Sequence, residues 1–222
     1  MNHCRQSTIT HMLRIDASAR QARSLSRMLG DLFIERWQQA EPDAPLIRRD
    51  VGIEPPPAIS EDWIAAAFTP ADERTEAQHA ALSLSNTLID ELEQAHVVVI
   101  TTPMYNYGMP AALKAWVDQV VRINRTFTFD LARGDRPLEP ILGGKQLVLL
   151  TSSGEFGFGA GQFNEQAGHL LPHLRSVAGY LGAQNIHHVG IEYQEFGDDR
   201  FEASKAQAKT QVVALAAALC TD

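Results

Sequence analysis

The sequence predicts an α/β protein built on an open, doubly wound, five-stranded parallel sheet with helices on both faces. Two observations carry that expectation. Five short segments rich in Val, Ile and Leu alternate with segments of helical periodicity, the pattern of parallel strands covered on both sides. Right-handed crossovers then leave few topologies, of which the strand order 2-1-3-4-5 is expected, with ligands gathered beyond the carboxyl ends of the strands where the order reverses. A chain of 222 residues can bury a sizeable core as one domain. Residues 12–222 are expected to form that domain, and residues 1–11 a flexible N-terminal extension.

The expected strands are MLRIDAS (12–18), LIRRDV (46–51), HVVVITTP (96–103), KQLVLLTSS (145–153) and NIHHVGIEY (185–193). Between the first two, SLSRMLGDLFIERWQQA sets Leu25, Met28, Leu29, Leu32, Phe33 and Trp37 at helical spacing and stops before Pro42, as an amphipathic crossover helix would. A second helix is expected over 77–95, and a third is opened by Pro110 in PAALKAWVDQVVRI, because proline suits a first helical turn. The alanine-rich ASKAQAKTQVVALAAALC closes the fold as a helix. The stretch 54–78 is too long for a bare connection and is expected to be an irregular loop with a helical turn at WIAAAF. Trp37, Trp63 and Trp116 lie on apolar patterns and are expected in the core or at an interface.

Charge and cysteine usage exclude several functions. With 19 Lys and Arg against 27 Asp and Glu, the net charge of -8 opposes any broad contact with a nucleic-acid backbone. It does not oppose a small anion held locally by a helix N-terminus. Cys4 and Cys220 stand near opposite ends with no metal or dithiol spacing, which suits a reducing, cytoplasmic compartment. The opening MNHCRQSTIT lacks the apolar run of a secretory signal, and no stretch approaches the roughly 20 apolar residues of a membrane span. Among eight histidines, His169 and His173 are separated by a disruptive Pro172, and neighbours His187 and His188 point to opposite faces of a strand. No metal site is expected from them.

Three strand exits could carry chemistry. The first, from Asp16 to Ser26, combines the hydroxyls of Ser18, Ser24 and Ser26 with basic residues and a helix start, a cradle suited to a phosphate; a plain N-cap at Ser24 explains the same residues. It lacks both G-x-G-x-x-G and the P-loop pattern, so a monophosphate fits better than a dinucleotide or a triphosphate. The third exit, Pro103-Met104-Tyr105-Asn106-Tyr107-Gly108, offers a wall for a planar ring and amides for its polar edge, or else a packed turn. The fourth, Ser152-Ser153-Gly154-Glu155, is small enough for backbone to approach a ligand.

These residues carry a family resemblance. PMYNYGMPAALKAWVDQVVRINRTFTF (103–129) resembles the signature stretch of the FMN-dependent NAD(P)H:quinone oxidoreductases, also called FMN-dependent azoreductases. SARQARSLS resembles that family's phosphate loop, and SNTLIDELEQAHVVVITTPMYN its approach to the third strand, so the likeness covers most of residues 12–153. It implies a flavodoxin-like fold, bound FMN, and a ping-pong transfer of two electrons from NADH or NADPH to quinones or azo compounds. It also implies a homodimer with the flavin at the interface and no catalytic side chain, because the cofactor does the chemistry.

Residue by residue, the resemblance implies that Ser18, Ser24, Leu25 and Ser26 bind the FMN phosphate and nearby ribityl oxygens. Pro103, Met104, Tyr105, Asn106 and Tyr107 would border the isoalloxazine, and Ser152, Ser153, Gly154 and Glu155 its pyrimidine side. Tyr107 would touch substrate, and Phe129 would stand at a dimeric active-site rim. Two departures stand out: Tyr107 replaces the family's usual Phe, and S-S-G-E replaces an S-R-G-G type loop, which sets a carboxylate where a reduced anionic flavin finds it unfavourable. An NAD(P)H:FMN reductase and a flavodoxin-type electron carrier are the alternatives; LKAWVDQVVR and the 54–78 insertion favour a reductase over the smaller carrier.

Overall fold

The computed structural model describes residues 10–220, so nearly all of the expected N-terminal extension, with Cys4, lies outside the described residues. In chain order the elements are β1 (Met12–Asp16), α1 (Leu25–Ala40), β2 (Leu46–Asp50), α2 (Glu61–Phe68), α3 (Glu76–Gln94), β3 (Val97–Pro103), α4 (Ala111–Val120), β4 (Phe127–Phe129), β5 (Leu138–Pro140), β6 (Lys145–Ser152), α5 (Leu170–Ala178), β7 (Ala183–Ile191) and α6 (Asp199–Leu219). The main sheet is parallel throughout and runs β2-β1-β3-β6-β7. Counted among its own five strands that order is 2-1-3-4-5. In register, Ile15 stands beside Arg49 and Ile100, and Ile100 beside Leu149.

Alternation along the strands divides the core in two. Leu13, Ile15, Val98, Ile100, Leu147 and Leu149 face one way, onto Leu88 and Leu92 of α3, Trp116 of α4 and Leu174 of α5. Met12, Val97, Val99, Val148, Leu150 and Ile191 face the other way, onto Phe33 and Trp37 of α1 and Val212 of α6. The strands are apolar on both faces because both faces are covered. The alanines of α6 serve the same layer, with Ala208 and Ala216 buried where bulk would hold the helix off α1. Helix starts follow local chemistry: Ser24 accepts from the Arg27 amide, Thr75 and Gln78 form a capping box, and Asp198 accepts from the Arg200 and Phe201 amides.

Three expectations need correction. The 54–78 stretch is not an irregular loop with one turn: α2 is an eight-residue helix capped by Ser60. It forms because Trp63, Ala66 and Ala67 have a surface to cover around Leu82 of α3, and the Trp63 indole donates to Gln119 at 3.0 Å. Pro172 does not disturb a helix; it is the third residue of α5, where a missing amide costs no helical hydrogen bond. The last helix starts at Asp199, ahead of the alanine-rich run, because its cap is Asp198. The antiparallel β4–β5 hairpin, pairing Phe127 with Pro140 and Phe129 with Leu138, had no signal in the sequence pattern.

The expected core tryptophans are buried, with Trp116 fully so. His187 and His188 diverge from their strand, one to Gln146 at 2.9 Å and the other to Thr151 at 2.8 Å. Among the described residues no helix is long and apolar enough to cross a membrane, and no group of three or more His, Cys, Asp or Glu could hold a metal ion.

Candidate active site

The order of the sheet strands reverses between β1 and β3, and a cleft opens above their carboxyl ends. At one end lies a cavity of about 160 Å³, lined on one side by Ser18, Arg20, Arg23, Ser24 and Leu25. Ser18 is 2% exposed, and its hydroxyl accepts from the Arg20 amide at 3.2 Å. Ser24 ends the loop as the N-cap of α1, its hydroxyl 3.3 Å from that of the fully buried Ser26. The first amides of α1, at Leu25 and Ser26, have no acceptor within a helix that starts there. Hydroxyls, first-turn amides and two exposed arginines therefore converge on one small space.

The opposite wall comes from the exit of β3. Tyr105 and Gly108 exchange main-chain hydrogen bonds at 3.1 and 2.9 Å, enclosing a two-residue turn. Both central residues are left-handed, Asn106 at φ 45° and Tyr107 at φ 66°. Asparagine tolerates this region and tyrosine does not, so the turn stores strain of about 1 kcal/mol or more. Neighbours hold it: the His169 amide donates to the Tyr107 carbonyl and the Met104 amide to the Ser152 carbonyl, both at 2.8 Å. The Tyr105 hydroxyl reaches across the cleft and accepts from the Ala19 amide at 3.3 Å.

Beyond Met104 lies a second cavity of about 230 Å³, lined by Met104, Asn106, Tyr107, Ser153, Gly154, Glu155, Phe158 and Glu195. It shares Met104, Gly154 and Glu195 with the first, so the two form one cleft. The Tyr107 hydroxyl donates to Glu155 Oε1 at 3.0 Å, and this hydrogen bond to a carboxylate raises the phenol above its ordinary pKa.

The floor joins the loops after β6 and β7 through main-chain bonds. Ser153 donates to Ile191, Tyr193 to Glu155, Gln194 to Ser153 and Glu195 to Gly154, at 2.9 to 3.2 Å. A Cβ at Gly154 would lie 2.5 Å from Glu195 Cγ, so a larger residue there would displace the Glu195 side chain. Phe156 stacks on Tyr193 at 4.4 Å and 11°, and Arg200 lies over Phe196 at 4.5 Å.

The structure brings together twelve of the residues singled out in the sequence: Ser18, Ser24, Leu25, Pro103, Met104, Tyr105, Asn106, Tyr107, Ser152, Ser153, Gly154 and Glu155 line the cleft. Ser26 lies beneath, touching it through Ser24. Phe129 does not line it; the ring stands on β4, 49% exposed. Five lining residues were not among the candidates: Arg20, Arg23, Phe158 of the loop after β6, and the pair Gln194 and Glu195. The arginines were legible as the cations of the first loop, and the other pair follows β7, whose carboxyl end opens onto the same edge of the sheet.

A doubly wound parallel sheet with its cleft at the reversal of strand order defines the class. The chain belongs to the family described as having a flavodoxin-like fold, which matches residues 10–215. It is 53% identical over 215 residues to the FMN-dependent NADH:quinone oxidoreductase 2 of Idiomarina loihiensis, covering 94% of this chain and 90% of that protein. It is 41% identical over 209 residues to the FMN-dependent NAD(P)H:quinone oxidoreductase 1 of Pseudomonas aeruginosa, covering 94% and 99%. Its fold is that of the crystal structure of azoreductase from Bacillus anthracis, with a TM-score of 0.82 at 22% identity over 93% of this chain and 98% of the other.

Proposed function

We propose that the cleft holds FMN and that the chain is an FMN-dependent oxidoreductase passing two electrons from NADH or NADPH to quinone or azo acceptors by a ping-pong mechanism. One observation carries the reading: a single cleft runs from the hydroxyl-lined, arginine-flanked start of α1 to the strained Tyr105–Gly108 turn. Its first end matches a phosphate in size and donor chemistry. Its second end offers aromatic edges and main-chain polar groups to a flat ring.

In this reading Ser18, Ser24, Ser26 and the first amides of α1 hold the phosphate, with Arg20 and Arg23 as counter-charges. Pro103, Met104, Tyr105, Asn106 and Tyr107 border the isoalloxazine, and Ser152, Ser153, Gly154 and Glu155 its pyrimidine side. Bound FMN supplies the two-electron chemistry, so the residues around it bind, orient and exclude water. Glu155, oriented by Tyr107, adds negative charge at the ring end. Donor and acceptor would use that end in turn, as the proposed ping-pong order requires.

The proposed functional unit is a homodimer formed from one flavodoxin-like domain per chain, residues 12–222. The β4–β5 hairpin supports it, because Phe129, Leu131, Leu138 and Ile141 are 49%, 75%, 45% and 47% exposed along one short projection. A partner covering this hairpin would bring Phe129 to the rim of its substrate pocket. The proposed compartment is the cytoplasm, supported by two cysteines near opposite chain ends.

The test is the purified protein's visible spectrum, followed by NADH or NADPH oxidation with a quinone and then an azo acceptor. A yellow protein that turns over both donor and acceptor is expected. A colourless protein that takes up no added FMN would overturn the reading. FMN lost on gel filtration, with reduced flavin as the product, would instead identify an FMN reductase.

A further inference from the structure

Beneath the phosphate end lies an ion network, buried at Arg14 and Asp16 and open to water at Asp31 and Asp50, that the proposed chemistry does not use. Arg14, 2% exposed at the centre of β1, donates to Asp16 at 2.9 Å, to Asp31 at 2.6 Å and to the Arg27 carbonyl at 3.3 Å. Thr101 donates to the same Asp16 at 2.6 Å. Arg27 forks onto both oxygens of Asp50 at 2.6 Å, with Asp16 at 3.7 Å. A buried pair such as Arg14–Asp16 is a poor source of stability because desolvation offsets its attraction, and the pairs to the part-exposed Asp31 and Asp50 contribute little because water screens them. A network of them needs another explanation.

Two features point to the loop above. Arg27 donates to the Ser18 carbonyl at 2.7 Å, although Arg27 does not line the cleft. Gly52 packs against that same carbonyl, so closely that a Cβ there would lie 2.2 Å from the Ser18 oxygen. The oxygen thus accepts from Arg27 and has Gly52 packed against it. In a trans peptide the carbonyl and the next N–H point opposite ways. Drawing the Ser18 oxygen down therefore turns the Ala19 N–H up into the cleft, where it meets the Tyr105 hydroxyl at 3.3 Å.

We infer that Arg27 is the positioning residue of the anion-binding loop, fixing the Ser18 peptide so that the Ala19 amide and Ser18 hydroxyl are aimed at the phosphate of the flavin. This rests on the proposal that the cleft holds FMN. Simple charge attraction does not account for the cluster, since Arg14 and Arg27 face Asp16, Asp31 and Asp50, two cations against three carboxylates. Its contribution is geometric. Asp50 completes the device by holding the guanidinium plane, which only a planar fork can bridge to both a carboxylate and a carbonyl.

The experiment compares FMN with riboflavin, which lacks the phosphate, by fluorescence titration of the flavin-stripped protein. Arg27→Met is expected to weaken FMN about ten- to a hundredfold, the scale of a lost hydrogen bond to a charged group, and riboflavin less than about threefold. Arg27→Lys should behave nearly as badly, and Gly52→Ala should lose FMN preference to a smaller degree by pushing the Ser18 carbonyl. Equal losses for both flavins, or an unchanged preference in the variants, would overturn the inference. So would a wild-type-like Arg27→Lys beside a defective Arg27→Met, which would make the residue a counter-charge. Should Arg27→Met fail to fold, Arg27→Lys and Gly52→Ala decide by the same criterion. A wild-type protein that binds neither flavin, or both alike, overturns the phosphate site itself; a wild type that prefers FMN while its variants keep that preference overturns the role of Arg27 alone.

Discussion

At the proposed phosphate end of the cleft the hydroxyls and cations come from one short segment, Ser18 to Ser26, and are fixed by side chains: a serine cap, a hydroxyl pair and an arginine fork from below. At the ring end they come from the loops after β3, β6 and β7 and are fixed mainly by main-chain hydrogen bonds between loops distant in sequence. The first end is a local motif standing on a rigid helix. The second exists only after the sheet has formed, because Met104 meets Ser152, and Ser153 meets Ile191, across neighbouring strands. The two ends should therefore fail differently.

The largest effect is expected from Ser24→Ala combined with Ser26→Ala. Hydrogen bonds to a charged group contribute about 1.5–3 kcal/mol each, so FMN affinity should fall roughly a hundredfold or more while riboflavin affinity hardly changes. Titration of the two flavins side by side reads this directly. An FMN affinity that stays put would remove the serines from the phosphate site and leave Ser24 as an N-cap only.

A ring-end change should give the opposite signature. Phe156 stacks on Tyr193 and lies 6.2 Å from Phe163, bracing the floor beneath Gly154 and Glu195. An aromatic pair contributes about 0.5–1.5 kcal/mol beyond its area, so Phe156→Ala should weaken FMN and riboflavin alike, by roughly three- to tenfold. Loss of FMN alone would mean that the two ends are mechanically one unit.

The same contrast explains what the sequence disclosed. The place of the first loop in the cleft was readable because its hydroxyls and cations lie within nine consecutive residues, Ser18 to Ser26. The strand order was readable because continuous apolar runs have one economical arrangement. Gln194 and Glu195 were not, since they join the cleft through pairing of β7 with β6. Nor was α5, where Pro172 argued for a break until its place in the first turn was known. Pattern reading saw α2 only as a helical turn at WIAAAF, because eight residues carry too little periodicity to outweigh the prolines before them; the surface it covers on α3 extends it to a helix.

A smaller effect tests the polar link across the ring end. The Tyr107 phenol donates to Glu155, which disfavours a phenolate beside a carboxylate and holds the pKa above the ordinary tyrosine value. Glu155→Gln should move that tyrosine's ionisation to lower pH, read as tyrosinate absorbance during alkaline titration, with Tyr107→Phe identifying the signal. An unmoved titration would mean that the hydrogen bond does not persist in solution and that Glu155 is free to leave the ring.

The smallest effect distinguishes the ends by acid. Behind the ring end a cavity of about 100 Å³ is walled by Phe158, Leu170, Leu171 and Pro172, with His188 bonded to Thr151 at its floor. Apolar packing, and then Arg175, hold the His188 imidazole below its ordinary 6.5, at about 4. Between those values the unfolded chain binds a proton that the folded chain resists, so stability is lost as pH falls below about 6.5. The residue as a whole is exposed to water, which screens the charge and keeps the slope shallow. The phosphate end, held by carboxylates and guanidinium groups, has no histidine in its walls. Thermal melts between pH 7 and pH 5 should therefore show a decline that His188→Asn flattens. A decline of equal slope in His188→Asn would assign the acid sensitivity elsewhere and leave the inner cavity without a part in it.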